Sequence, residues 1–121
     1  MYNSLKKDKD YLIENGENCS KKTLKEMFET STEIYGDRTG FLVKDDPKAP
    51  YTEISYKKFR EDVYAFATGL IDMGLKDKKI AVIGENSYRW IVTYMSVVTG
   101  VGTIVPIDKE LPYDEIGSWP L

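Results

Sequence analysis

The sequence predicts an α/β fold, a β-hairpin followed by a βαβ unit with parallel strands and covering helices. Three observations carry that expectation. Residues 79–83 and 103–107 are apolar runs of strand length, and a helical pattern lies between them, joined to both by glycine-containing turns. Two further β-type runs flank a turn-forming segment at 45–50. With 41% hydrophobic and 31% charged residues, the 121-residue chain has apolar mass for one small core.

Taken in order, residues 1–22 are polar and nearly charge-balanced and read as a loosely attached arm. Five lysines there face Asp8, Asp10, Glu14 and Glu17. Thr23-Leu24-Lys25-Glu26 has capping-box spacing, so a helix is expected to start at once. Leu24, Met27, Phe28, Ile34 and Tyr35 then trace an apolar stripe around the small Ser31, and Gly36 is placed to close the helix in a left-handed conformation.

The hairpin is expected from Phe41-Leu42-Val43-Lys44 and from the run Tyr51 to Tyr56, with Asp45-Asp46-Pro47-Lys48-Ala49-Pro50 as its turn. Ser55 can cap the next helix, whose stripe is Phe59, Val63, Phe66, Ala67, Leu70 and Met73 and whose stop is Gly74. A third helix over 88–99 separates the two parallel strands, which should join by a right-handed crossover. Pro112, Asp114 and Glu115 look like the first turn of another helix, which Gly117 interrupts.

Composition excludes several function classes. The 17 basic and 20 acidic residues give a net charge of −3 with both signs mixed, which offers no electrostatic footprint for nucleic acid. Without histidine there is no Ser-His or Cys-His pairing, and a single cysteine, Cys19, leaves no internal disulfide and no zinc cluster. Cys19 reads as a bystander thiol despite its neighbours Lys21 and Lys22. The charged start has no apolar signal core, and the uncharged run 90–107 is broken by Gly100, Gly102 and Pro106, so a cytoplasmic protein without a transmembrane segment is expected.

Each candidate for chemistry has a plainer structural explanation beside it. Gly84-Glu85-Asn86-Ser87 follows a strand and opens a helix, where free amides can hold phosphate, but no phosphate fingerprint is present and helix capping accounts for Asn86 or Ser87. Gly100-Val101-Gly102 lies after a helix and before a strand, the reverse of a phosphate loop, so helix termination and close packing are expected. Asp108-Lys109-Glu110 lies at the carboxyl end of a parallel strand, where open α/β sheets bind ligands, against the alternative of a solvated turn. Asp45 and Asp46 at the hairpin tip lack a third metal ligand. Tyr88, Trp90 and Tyr94 can line an acyl or aromatic pocket, but their helical spacing beside Ile91, Val97 and Val98 fits core packing better.

The ordered series Tyr51 to Phe59, Ala65-Phe66-Ala67-Thr68-Gly69-Leu70, Met73-Gly74-Leu75, Asp77 to Ile83, Glu85-Asn86-Ser87-Tyr88-Arg89-Trp90 and Gly100 to Asp108 resembles the N-terminal part of the AMP-forming acyl-CoA synthetases. Within these adenylate-forming ligases it looks most like the long-chain fatty acid branch. The resemblance implies an enzyme that joins a carboxylic acid to coenzyme A through an acyl-adenylate, with ATP and magnesium and release of pyrophosphate.

It also implies that the phosphate loop, the nucleotide and magnesium residues and the catalytic lysine follow the matching segment. Catalytic, cofactor-binding and metal residues are therefore expected to be none in this chain, which is expected to be inactive alone. The expected division is a polar arm at 1–22, an incomplete N-terminal α/β domain at 23–116, and an atypical truncated tail at 117–121, such as a frameshift or premature stop gives. A second expectation comes from the sheet itself, because two parallel strands and a hairpin leave ladder groups without partners. The chain would then be a non-catalytic module that pairs with itself or another protein through an incomplete sheet edge.

Overall fold

The computed structural model describes residues 23–114. In chain order these are α1 (Leu24–Ile34), β1 (Thr39–Val43), β2 (Thr52–Ser55), α2 (Tyr56–Asp72), β3 (Lys79–Ile83), α3 (Tyr88–Ser96), a π-turn (Val97–Val101) and β4 (Thr103–Ile107). The expected arm, Cys19, Glu115 and the tail lie outside them; Tyr113 and Asp114 are helical, as the reading of Pro112 anticipates.

Local signals set the boundaries. Thr23 Oγ1 accepts the Glu26 amide at 3.1 Å, Ser55 Oγ the Lys58 amide at 3.1 Å, and Ser87 Oγ the Trp90 amide at 3.2 Å, so all three helices start on a hydroxyl cap. Gly74 follows α2 with φ 80°, the left-handed geometry that ends a helix. Gly36 does not do this for α1: it is not among the residues with positive φ. A Cβ there would lie 3.0 Å from the Thr32 carbonyl oxygen, and its own carbonyl accepts the Lys57 amide at 2.9 Å. Close approach of the chain to the last turn of α1, rather than handedness, is the reason for this glycine.

β1 and β2 form an antiparallel hairpin with a bulge between Thr39 and Phe41. β3 and β4 form a separate parallel pair in the register Lys79↔Thr103 to Ile83↔Ile107. The core has two parts. Phe28, Phe59, Val63, Val92 and Met95 form one, with Phe41 and Tyr88 packed on it; the Phe41 and Phe59 rings meet edge-on at 4.8 Å and Phe28 and Phe59 at 5.4 Å. Ala67, Leu70, Val97 and Val101 form the other, against Ile80 and Ile104.

The apolar stripes are only partly buried. In α1, Phe28 and Thr32 are inside while Leu24, Met27 and Ile34 are exposed. In α2, Phe59, Val63, Ala67 and Leu70 are inside, whereas Phe66 is 43% and Met73 74% exposed. β3 is not a buried strand either: only Val82 is enclosed, and Ile83 is 51% exposed. The reason is common to all three. Each element has one side packed in this core, and nothing among the described residues covers the other.

Candidate functional site

The carboxyl ends of β3 and β4 open on a groove of ≈ 610 Å³ lined by Glu85, Asn86, Trp90, Pro106, Asp108 and Lys109, together with Gly84 and Ile107. The parallel register brings Gly84-Glu85-Asn86-Ser87 and Asp108-Lys109-Glu110 together here, although 24 residues separate Glu85 from Lys109. Lys109 Nζ donates to Glu85 Oε1 at 2.9 Å and lies 3.7 Å from a Glu110 oxygen. Asp108 Oδ1 accepts the Glu110 amide at 2.9 Å, which folds the turn on itself. The hydrogen bond and charge of Lys109 hold the Glu85 carboxyl below its ordinary range, and those of Glu85 hold the Lys109 ammonium above its own. This is a solvated charged turn, as the plainer reading expected.

A triphosphate does not fit these residues. The Glu85 and Glu110 carboxylates both pair with the one ammonium here, and Asp108 turns its carboxylate to the Glu110 amide. The Trp90 amide at the α3 N-terminus is bound by the Ser87 hydroxyl, so it is not presented to an anion. At the hairpin tip, Asp46 Oδ1 accepts the Lys48 amide at 2.8 Å, which makes it a turn-former. Among the described residues no three carboxylate or thiol side chains gather in a way that could hold a metal ion.

The other candidates take structural places. Tyr88 packs edge-on to Phe41 at 5.2 Å, and Trp90 stacks on Tyr94 at 5.4 Å while also facing the groove. A Cβ on Gly102 would collide with the Lys78 carbonyl, and Gly100 takes φ 138° in the π-turn, so this pair ends the helix and lets the chain pass close to the start of β3.

One polar cluster escaped the reading of the sequence. Tyr88 Oη donates to Asp62 Oδ2 at 2.6 Å, and Lys58 Nζ donates to Asp62 Oδ1 at 2.6 Å. Burial pushes the Asp62 carboxyl up, but the hydrogen bonds from Lys58 and Tyr88 and the Lys58 charge outweigh it and leave it lowered. Burial first, then the bond to Asp62, raises the Tyr88 phenol. The i, i+4 spacing of Lys58 and Asp62 was the available signal; the tyrosine 26 residues on was not legible. The cluster borders an apolar groove of ≈ 580 Å³ between α2 and α3, lined by Ala65, Phe66, Val92, Arg89 and Thr93.

Comparison with known proteins agrees with the fold and the resemblance. Residues 28–118 match the family model described as AMP-binding enzyme. A chloroplastic long-chain-fatty-acid–[acyl-carrier-protein] ligase of Arabidopsis thaliana, AEE15, is 34% identical over 86 residues, 69% of this chain and 12% of that protein. The chain thus spans about an eighth of the length of that curated relative. Among solved structures, the N-terminal subdomain of Klebsiella oxytoca NpsA superimposes with TM-score 0.67 at 21% identity, over 80% of this chain and 24% of that one. A protein described as a long-chain-fatty-acid CoA ligase from Rhodopseudomonas palustris gives TM-score 0.67 at 20% identity, over 81% of this chain and 24% of its own. With caps, hairpin and parallel pair where the sequence pattern put them, and with three quarters of the chain inside one family model, this chain belongs to the AMP-binding enzyme family, in its N-terminal α/β region.

Proposed function

We propose that the chain is the N-terminal portion of an ATP-dependent, AMP-forming long-chain fatty acid ligase, and that it supplies supporting structure rather than chemistry. The identity to a fatty-acid-activating relative across 86 residues is the observation that carries this reading. Coenzyme A is the acceptor we favour; an acyl carrier protein, named for the Arabidopsis relative, is the competing thiol. In this reading ATP, magnesium, fatty acid and thiol are held by residues outside the chain. The self-paired carboxylates at the ends of β3 and β4 support that reading, since they would repel phosphate. We place the ligase-like unit at 23–116, with 1–22 as an arm and 117–121 outside it, and we place the protein in the cytoplasm. Among the described residues no helix is long and apolar enough to cross a membrane. Fatty-acid-dependent ATP–pyrophosphate exchange by the purified chain is expected to equal the no-enzyme control. Exchange that rises with chain concentration would place the chemistry inside these residues and overturn the reading.

A second reading, self-association through the sheet, is favoured by one specific observation. The parallel pair β3–β4 has no third strand among the described residues, although parallel sheets are built from more and covered on both faces.

A further inference from the structure

The two turns at the carboxyl ends of the parallel strands are held in different ways. After β4, Asp108 Oδ1 accepts the Glu110 amide at 2.9 Å and the Asp108 carbonyl accepts the Leu111 amide at 3.2 Å, so that turn closes on itself. After β3, the backbone groups of Gly84, Glu85 and Asn86 make no turn or cap hydrogen bond among the described residues. This turn is fixed from its two ends. Ile83 is paired with Ile107 in the ladder, and Ser87 opens α3, where its hydroxyl accepts the Trp90 amide at 3.2 Å and its carbonyl the Ile91 amide at 3.2 Å. Trp90 also reaches back over the turn: a Cβ on Gly84 would lie 4.0 Å from Trp90 Cδ1. The position of Glu85 therefore follows the first turn of α3.

That first turn is tied down from outside its own helix. Tyr88, its first residue, sets its ring edge-on to Phe41 at 5.2 Å and tilted to Phe59 at 6.1 Å, and its hydroxyl donates to Asp62 Oδ2 at 2.6 Å. Asp62 is held in turn by Lys58, one turn earlier in α2. Ring and hydroxyl have separable roles. A phenylalanine at this position would keep the ring beside Phe41 and Phe59, but only the hydroxyl reaches the Asp62 carboxylate, and a hydrogen bond to an ionised acceptor is the stronger kind. The bond joins α2 to α3 across 26 residues, with both partners among the described residues, so it does not depend on what covers the sheet.

We propose that Tyr88 is the positioning residue of the turn after β3: its bond to Asp62 fixes the first turn of α3 and, through it, sets Glu85 against Lys109 at the edge where open α/β sheets take ligands. This deepens the supporting role proposed above, and its bearing on a ligand rests on that reading. The tether itself is measured in the chain alone, so a full-length ligase left inactive by this segment would count against that reading and not against the tether. The test is nuclear magnetic resonance of the full 121-residue chain, following the Glu85 carboxyl titration and the hydrogen exchange of the Trp90 and Ile91 amides. In the unsubstituted chain Glu85 is expected to titrate below the ordinary glutamate range, because Lys109 bonds it. In Tyr88→Phe that titration should move back toward the ordinary range. The two amides should exchange about tenfold faster relative to those inside α2, the effect of losing one charge-assisted hydrogen bond in a local opening. Asp62→Ala removes the same bond from its other side and should reproduce both changes, also where Tyr88→Phe fails to fold. Lys58→Ala leaves the tyrosine bond in place and should move neither readout. A Glu85 titration unchanged in the variants that lack the bond, an acceleration shared equally by the α2 amides, or an equal effect from Lys58→Ala would each overturn the proposal.

Discussion

The hairpin half and the βαβ half of the molecule are built to different degrees of closure. The hairpin packs Phe41 on Phe59 and Tyr88, with Phe28 completing the ring cluster, so its inner face meets side chains within about 65 residues of sequence. The parallel pair is covered by helices through Ile80 and Ile104, while Ala81 and Ile83 are exposed. Antiparallel pairing needs one tight turn. A parallel sheet needs a crossover for every added strand, and each strand depends on neighbours that come from elsewhere. The hairpin half thus closes on side chains that include Tyr88 of α3, whereas the half with the candidate ligand edge leaves one side uncovered among the described residues.

The largest expected effect lies in the aromatic cluster of the hairpin half. Phe59→Ala, at 6% exposure and in contact with two rings at 4.8 and 5.4 Å, should cost about 3–5 kcal/mol in urea unfolding. A cost below about 1 kcal/mol would mean that the aromatic cluster is not a consolidated core. Next is the junction between the halves. Gly102→Ala sets a methyl against the Lys78 carbonyl and should cost about 1–3 kcal/mol by overpacking. An unchanged midpoint would show that β4 is free to move away from β3. Smaller again is Ser96→Ala, which removes a buried hydroxyl 2.6 Å from the Val92 carbonyl and 2.9 Å from that of Val63, at about 1 kcal/mol.

The Asp62–Tyr88 bond ties α2 to α3 and predicts a pH signature. The lowered Asp62 carboxyl stabilises the fold above its unfolded pKa, and that contribution is lost as pH falls through the folded value. The raised Tyr88 phenol stabilises it below the ordinary tyrosine value, and that contribution is lost as pH rises toward the raised one. Tyr88→Phe should flatten the alkaline limb, leaving the loss due to Tyr64, whose phenol burial and the bond to Glu29 also raise, and should weaken the acid limb only in part, since Lys58 still holds the Asp62 carboxyl down. Unfolding midpoints that fall as steeply in the variant as in the parent would contradict the assignment. Smallest of all is Lys109→Ala. Its ion pair with Glu85 is solvent-exposed, so no resolvable change in Tm is expected.

What was legible in the sequence was what depends on neighbours along the chain. Thr23, Ser55 and Ser87 cap helices and Gly74 ends one because those bonds and dihedrals span only a few residues. The parallel pair followed from connection length. Burial was less legible: Leu24, Met27, Phe66 and Met73 have the right period for a core yet are exposed, because period reports a face and not what covers it. Conversely Thr32, Ser96 and Thr99 are buried without looking apolar; each hydroxyl is bonded to a backbone carbonyl within four residues. In the candidate site both halves of the charged edge were legible as residues, but their meeting at Glu85 and Lys109 depends on the sheet register.

We propose that these residues support fatty acid activation without performing it. The direct measurement is fatty-acid-dependent ATP–pyrophosphate exchange by the Arabidopsis ligase after its 86-residue matching segment is replaced by the corresponding residues of this chain. Retained exchange with long-chain fatty acids is the predicted result. A chimera that folds with native circular dichroism but activates none of them would contradict the account.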